Sequence, residues 1–172
     1  PSYAHVIVSD DRGKTWKLGG ILGDYTNECQ VAETQEDGKS GLLINMRNHW
    51  GRGGVAEKSG KRLVARSFDG GATWSAEKMD PALPEPPCQA SLLRYQFASG
   101  DKKSVLLFAN PAGAGRKNLT VRMSHDEGRT WPVSKLLVPD AAAYSCMARM
   151  SDGRGGIVVE TLGYKKLSFT TF

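Results

Sequence analysis

The sequence has no apolar run approaching the roughly 20 residues that a membrane-spanning helix needs. It also has no run of Lys and Arg and no basic helical pattern, which argues against nucleic acid as a partner. Residues 1–8 lack the basic segment and apolar core of a signal peptide. Because a strand-like pattern already covers residues 4–9, we expect the chain to start inside a domain, with any leader on a longer parent chain lying upstream.

Cysteine is scarce, and Cys29, Cys88 and Cys146 have an odd count and spacings that fit no zinc site. Free buried thiols are the expected state, and one disulfide plus a free thiol is the alternative. We predict no metal site and no cofactor. The triplet at 118–120 is a glycosylation acceptor only in a secretory pathway. The compartment is therefore left open, with a secreted or otherwise extracytoplasmic one favoured.

The net charge of +5 has two interpretations. One is a mildly basic surface without a role. The other is a site for an anionic ligand, because a positive field attracts acidic substrates.

An internal repeat is the strongest signal in the sequence. Residues 9–16, 67–74 and 124–131 share the pattern Ser-x-Asp-x-Gly-x-Thr-Trp, and these octets start 58 and 57 residues apart. Each octet follows an alternating, β-favouring run, so each is predicted to be a hairpin turn. The aspartate should accept hydrogen bonds from turn N–H groups, the glycine should adopt a positive φ, and the tryptophan should pack on the neighbouring unit. The residues concerned are Asp11, Asp69 and Asp126, Gly13, Gly71 and Gly128, and Trp16, Trp74 and Trp131.

The remaining alternating runs fit the same frame and contain no helix of consequence. Predicted strands lie at 5–9, from 16 onward, and at 28–34, 41–47, 62–67, 74–79, 89–95, 104–109, 119–124, 131–137, 143–150, 156–160 and 166–171. Four short strands in each unit of nearly sixty residues are typical of a propeller blade. The proline-rich stretch 81–87 is predicted to connect two blades.

The frame thus predicts an all-β fold, a partial β-propeller of about three blades of four-stranded antiparallel sheets. It contains the outer half of one blade, two whole blades and three strands of another. Such a fragment alone would expose strand edges and apolar flanks. We therefore expect the missing N-terminal half of the propeller to come from the same parent chain or from a partner chain.

The octets resemble the Asp boxes of sialidases, which also occur in unrelated propellers. The segments between the octets narrow the resemblance, because residues 27–33, 42–47, 88–91 and 143–145 resemble animal and bacterial exo-α-sialidases in the family's order. The resemblance covers essentially the whole chain and aligns it with the second half of a six-bladed catalytic domain. Residues 1–172 are accordingly expected to be the C-terminal part of a sialidase propeller, without its N-terminal blades.

The resemblance implies a role for each matching residue. Tyr144 matches the nucleophile, and Glu28 matches its partner base. Arg47 and Arg116 match two of the three arginines that clamp the substrate carboxylate. Glu33 is a rival for the role of base, but it has the opposite strand parity to Glu28.

Two further positions match with supporting roles, and two expected groups are absent. Glu160 matches the acid that orients the first arginine of the clamp, and Gln89 matches a pocket residue near the N-acyl or glycerol arm of the substrate. The Arg-Ile-Pro segment with that first arginine and the aspartate that serves as general acid belong to the half of the domain not present in this sequence. Catalysis by this chain alone is therefore an open question.

The strand frame and the chemistry agree with these roles. Glu28, Gln89 and Tyr144 open the first strands of their predicted blades, which converge on the axis of a propeller. Most glycosidases use two carboxylates, but a carboxylate nucleophile would be repelled by the acid group of sialic acid. A neutral phenol is not repelled, and a nearby base and cations can make it nucleophilic.

The leading hypothesis is an exo-α-sialidase, a retaining hydrolase that releases terminal sialic acids from glycoconjugates without a metal. A trans-sialidase would use the same residues with a sugar acceptor. The alternative is a non-catalytic Asp-box propeller that acts as a sialic-acid-binding or protein-interaction module. A third possibility is a split or degenerate chain that binds sialic acid without turning it over.

Overall fold

The computed structural model describes residues 2–172, which form twelve strands and a short 3₁₀ turn, Ala56–Lys58. The strands are β1 His5–Val8, β2 Lys17–Ile21, β3 Thr26–Glu36, β4 Lys39–Asn48, β5 Lys61–Ser67, β6 Lys78–Pro84, β7 Ser91–Gln96, β8 Val105–Pro111, β9 Lys117–Ser124, β10 Val133–Arg149, β11 Gly155–Thr161 and β12 Lys166–Thr171. All neighbouring strands pair antiparallel, and each pairs with the next along the chain within its sheet. The predicted all-β class and the predicted frame of hairpins are confirmed.

The strands are grouped as the repeat predicts. β1 and β2 form a two-stranded sheet, and β3 to β6 form a four-stranded sheet. β7 to β12 form a continuous six-stranded sheet, because β10 pairs with β9 through its first half and with β11 through its second half. Residues 131–137 and 143–150 were predicted as separate strands, and this is wrong, because the backbone stays extended between the two units. The register shifts around Val138 and after Ala142 mark where the sheet turns from one blade to the next.

The boundary of β6 also differs from the prediction. The strand begins at Lys78 rather than at Trp74 and runs on to Pro84, within the stretch predicted as a connector. Proline is tolerated there because β6 lies at the edge of its sheet, where a missing N–H breaks no ladder. The connector between the two blades is therefore shorter than predicted and begins at Glu85.

The three octets form the same hydrogen-bonded turn. In the second octet, Asp69 Oδ1 accepts from the Thr73 N–H at 2.9 Å and Oδ2 accepts from the Thr73 hydroxyl at 2.6 Å. The corresponding distances are again 2.9 and 2.6 Å in the first and third octets. The glycine of each octet has a positive φ, 84° at Gly13, 86° at Gly71 and 77° at Gly128. The predicted roles of the aspartates and glycines are confirmed.

The tryptophans of the octets do not all behave alike. Trp131 is buried and its Nε1 donates to Asp80 Oδ2 of the preceding sheet at 3.0 Å. Trp74 packs against Gly20 of β2, where an added Cβ would lie only 2.6 Å from the indole ring. Trp16 is 60% exposed and bonds to the carbonyl of Gly13 in its own turn. The predicted packing on a neighbouring unit is therefore found for Trp74 and Trp131 and is wrong for Trp16 within the described residues.

The hydrophobic core lies between neighbouring sheets. β4 directs Leu43 toward the blade that follows and Ile44 toward the β1–β2 sheet. In the next blade, β8 divides its side chains in the same way, with Phe108 on one face and Leu107 on the other. Since both faces of these central sheets are buried, the strands read as continuous apolar runs rather than as an alternation. This stacking keeps the inner strands β3, β7 and the second half of β10 beside one another.

We expect Asp69→Ala to lower the free energy of unfolding at neutral pH, with the difference from wild type shrinking as the pH falls. The hydrogen bonds from Thr73 lower the pKa of Asp69 from 3.8 to about 2. Because the folded pKa lies below the unfolded one, this stabilisation is present above the unfolded pKa and is lost as the pH falls through the folded pKa. Urea denaturation from neutral pH to about pH 2 measures the effect.

The matched control is Asp101→Ala, which removes an exposed aspartate from another turn. It should change the free energy of unfolding much less than Asp69→Ala does. Equal losses in the two variants would contradict the role given to the octet aspartate.

Candidate active site

Three polar side chains from different strands meet at one end of the sheets. Glu28 lies near the start of β3, Arg47 one residue before the end of β4, and Tyr144 in the second half of β10. The Tyr144 hydroxyl donates a hydrogen bond to Glu28 Oε1, although 116 positions separate the two residues. Arg47 Nη1 donates to Glu28 Oε2 at 2.7 Å and to the Tyr144 oxygen at 3.2 Å. The phenol, the carboxylate and the guanidinium therefore form one hydrogen-bonded group.

Arg116 completes this group from the loop between β8 and β9. Its guanidinium carbon lies 5.4 Å from the centre of the Tyr144 ring, within the range of a cation–π contact. Nη1 donates to the Tyr164 hydroxyl at 2.9 Å, and Nη2 donates to the Pro87 carbonyl at 3.0 Å. Both predicted clamp arginines are thus beside Tyr144, one in contact with its hydroxyl and the other over its ring.

Hydrogen bonds and charges set the protonation states of Tyr144 and Glu28. The pKa of Tyr144 is raised, chiefly by its hydrogen bond to Glu28 and by burial, while Arg47 and Arg116 oppose the rise. Burial pulls the pKa of Glu28 upward, but the hydrogen bonds from Tyr144 and Arg47 and the two positive charges outweigh it and lower that pKa. At neutral pH the site therefore rests as a neutral phenol that donates to an ionised carboxylate.

Two side chains hold the backbone that carries Tyr144. Glu160 Oε2 accepts from the Tyr144 backbone N–H at 3.1 Å. The Gln89 amide bonds to both backbone groups of Ser145, accepting from its N–H at 3.0 Å and donating to its carbonyl at 3.0 Å. Glu160 and Gln89 thus lie next to Tyr144, as the predicted frame requires. The substrate contact predicted for Gln89 and the arginine contact predicted for Glu160 remain predictions.

Glu28 and Glu33 were rival candidates for the base, and the structure separates them. Glu28 contacts the phenol, whereas the Glu33 side chain is exposed and its backbone carbonyl accepts from Arg94. The difference in strand parity explains this, because residues five positions apart on a strand point to opposite faces.

Sequence reasoning missed a buried ion pair that lies behind Arg47. Arg62 Nη1 donates to Glu85 Oε1 at 2.5 Å and to the Cys88 carbonyl at 2.8 Å, and both charged side chains are fully enclosed. Glu85 Oε2 also accepts from the backbone N–H of Asn48, the neighbour of Arg47, at 3.0 Å. Burial raises the pKa of Glu85 to about 7, against the opposing charge of Arg62. The pair fixes the strand end from which Arg47 reaches Tyr144.

Only Arg62 gave a signal that could have been recognised. It occupies a buried position of a predicted strand, where a charged side chain requires a partner. Glu85 lies in the proline-rich stretch, where neither strand period applied.

The atoms around Arg47 retain unused hydrogen-bonding capacity. Within residues 2–172, Arg47 Nε and His49 Nε2 are buried without hydrogen-bond partners. Burial and the charges of Arg47 and Arg52 lower the pKa of His49, which is therefore neutral at neutral pH. Buried polar atoms are normally paired, so these two atoms are candidates for contact with a polar ligand.

The cysteines and other potential metal ligands form no cluster in the described chain. Cys29, Cys88 and Cys146 are all free thiols. Cys88 is buried and Cys29 partly so, but Cys146 is exposed, so the expectation of buried thiols is wrong for that residue. Across residues 2–172, no three His, Cys, Asp or Glu side chains gather as metal ligands would.

Comparison with known proteins agrees with this fold. The family described as BNR repeat-like domain matches residues 2–157. A sialidase of Micromonospora viridifaciens is 37% identical over 158 residues, which cover 90% of this chain and 23% of that protein. A sialidase of Bacteroides fragilis strain YCH46 is 35% identical over 164 residues, covering 92% and 28%. The solved structure of the Hadza microbial sialidase Hz136 matches with a TM-score of 0.75 and 32% identity, covering 96% of this chain and 31% of that one.

The sheets and octets define the class as a partial β-propeller, and the prediction of that fold is confirmed. The chain belongs to the BNR repeat-like domain family. Its relatives are sialidases, which confirms the resemblance carried by the octets and the segments between them. The chain spans 23% and 28% of the length of the two curated relatives. In residues 2–172 no helix has the length and apolar character to cross a membrane.

We expect Glu28→Gln to lower the pKa of Tyr144. The substitution removes the negative charge that favours the protonated phenol, while Arg47 and Arg116 still favour the phenolate. Ultraviolet difference titration of the tyrosines, with Tyr144→Phe to identify the signal, measures the shift. Glu33→Gln is the matched control, since it removes an equal charge from the same strand without touching Tyr144. A shift of the same size in Glu33→Gln would contradict the direct contact.

Proposed function

We propose that this chain forms part of an exo-α-sialidase, which removes terminal sialic acids from glycoconjugates with retention of configuration. The observation that carries the proposal is the contact of the Tyr144 hydroxyl with Glu28 and Arg47. The proposal rests further on the sialidase relatives of the chain. A phenol, a proton acceptor and a cation in mutual contact are an unusual combination that suits one kind of reaction centre.

The choice of a phenol follows from the charge of the substrate. Sialic acid carries a carboxylate on its anomeric carbon, and a second carboxylate brought within bonding distance would be repelled by it. Tyr144 is neutral at rest, because its pKa is raised, and so approaches without that repulsion. Glycosidases with a tyrosine nucleophile are a recognised exception to the use of two carboxylates.

The proposed reaction has two displacements. Glu28 takes the phenol proton as the Tyr144 oxygen bonds to the anomeric carbon, and the bond from that carbon to the aglycone oxygen breaks. The departing oxygen takes a proton from a general acid that we place outside residues 1–172. Water then attacks the anomeric carbon, giving a proton to the conjugate base of that acid. The bond to Tyr144 breaks, and Glu28 returns the proton to the phenolate.

The two arginines are suited to bind the substrate carboxylate and to assist the phenol. Arg47 has a buried Nε without a partner in the described chain, so its guanidinium retains a donor for an acid group. Arg116 makes its hydrogen bonds to neutral oxygens and therefore keeps its full charge. Paired N–H donors match a carboxylate, and both cations lower the cost of forming a phenolate beside them.

The partners follow from this chemistry. Sialylated glycoconjugates are the proposed substrates, and the remaining blades of the propeller are the proposed source of the general acid and of a further arginine. We also propose a secreted or otherwise extracytoplasmic location, where such glycoconjugates are displayed.

The first test of the function is recognition of the acid group. We expect the chain to bind an unsaturated sialic acid analogue that cannot be hydrolysed, and to bind its methyl ester at least about tenfold more weakly. The ester removes the charge that Arg47 and Arg116 recognise. Isothermal titration calorimetry measures both affinities. Arg47→Ala should abolish the discrimination, whereas Arg154→Ala, which removes an exposed arginine bound to Asp152, should preserve it.

The second test is turnover of a fluorogenic sialoside. We expect Tyr144→Phe to lower kcat by roughly 10²–10⁴-fold while the analogue still binds, because the phenol acts in the transition state. Binding of the analogue without any turnover by the wild-type chain would favour the sialic-acid-binding module over the enzyme. Equal affinity for the acid and its ester would remove both functions.

A further inference from the structure

Tyr164 lies at the rim of the site, in the tight turn between β11 and β12. Its hydroxyl accepts from Arg116 Nη1 at 2.9 Å, and its ring centre lies 6.0 Å from the guanidinium carbon. On the other side of Arg116 the Tyr144 ring centre is 5.4 Å away. The Arg116 guanidinium is therefore held between two aromatic rings, with a hydrogen bond to one of them.

The conformation of this turn is not explained by its local sequence. Leu162, Gly163 and Tyr164 all have positive φ, at 53°, 62° and 71°. Glycine adopts this region freely, but a tyrosine there is uncommon and strained. Nor does burial account for the residue, because the Tyr164 side chain is 60% exposed. The contacts with Arg116 are what the strained position of Tyr164 provides.

Arg116 needs such support more than the other arginines at this end of the sheets. Arg47 is paired with Glu28 and Arg62 with Glu85, whereas Arg116 has no carboxylate partner among residues 2–172. It also follows a glycine-containing loop and is only partly buried. Without a fixed neighbour its long side chain would sample several rotamers.

A neutral partner offers an advantage that a carboxylate would not. A carboxylate beside Arg116 would hold it in place but would also neutralise much of its charge. The Tyr164 hydroxyl fixes the guanidinium and leaves the charge available to Tyr144 and to an incoming acid group.

We propose that Tyr164 is a positioning residue that holds Arg116 over the Tyr144 ring. The inference rests on the proposed function only in assigning Arg116 to the substrate carboxylate. The position of Arg116 itself can be measured without a substrate.

The test uses the pKa of Tyr144 as a sensor of Arg116. Tyr144 faces Glu28, which raises its pKa, and Arg47 and Arg116, which lower it. If Arg116 leaves the ring, the pKa of Tyr144 must rise. Carbon-13 labelling of the tyrosine ζ carbon gives one NMR signal for each of the five tyrosines, and a pH titration of the intact chain follows them all.

Two substitutions separate positioning from folding. Tyr164→Phe keeps the ring and removes the hydroxyl. Tyr164→Gly removes both contacts but relieves the positive φ, so it should fold at least as well as the wild type. We expect the pKa of Tyr144 to rise in both variants, and more in Tyr164→Gly. In a protein that turns over sialoside, KM should rise by about fivefold in Tyr164→Phe with a smaller change in kcat.

Tyr3→Phe is the matched control, since Tyr3 is 50% exposed and its hydroxyl bonds to Asp24 instead. It should leave the Tyr144 titration unchanged. An unchanged pKa of Tyr144 in both Tyr164 variants would overturn the proposal, whether or not the chain hydrolyses sialosides. Absence of hydrolysis with a raised pKa would count against the proposed function alone.

Discussion

The burial of each central sheet on both of its faces is the constraint on which the rest of the structure depends. A strand such as β4 must send Leu43 to one neighbour and Ile44 to the other, and so it can exist only between two further sheets. Sheets stacked in this way bring their innermost strands together. Glu28 and Tyr144 meet for that reason, although each belongs to a different blade. The site is therefore a consequence of packing rather than of any local fold of the chain.

Three arginines crowd one end of the sheets, and the structure deals with each charge differently. Arg62 is fully buried and needs the carboxylate of Glu85, because an unpaired buried charge is prohibitively costly. Arg47 shares Glu28 with the phenol, so its partner is also the group that takes part in the proposed reaction. Arg116 is held by neutral oxygens. This gradation from full to partial to no neutralisation leaves positive charge only where an acid group of a ligand would arrive.

Periodicity predicted the fold well, and it failed where other forces decide. The octets fixed the hairpins, and strands such as β4 and β8 were recognised from their apolar runs. β6 and β10 were misjudged because their ends depend on sheet edges and on blade-to-blade continuity, which no single strand period records. The site residues came from the resemblance, and the frame then required them to converge. Glu85 and Tyr164 could not be found, since each acts from a connector through contacts that exist only after folding.

The repeat and the site occupy opposite ends of the sheets, which explains why one is visible in the sequence and the other is not. Each octet joins the two outer strands of a blade at the end away from Tyr144, and the same hydrogen bonds solve the same turn three times. At the other end every connection is different in length and composition, because each contributes a different group to one shared centre. A scaffold whose turns are identical tolerates this variety, since stability is secured at one end while the loops at the other are free to specialise.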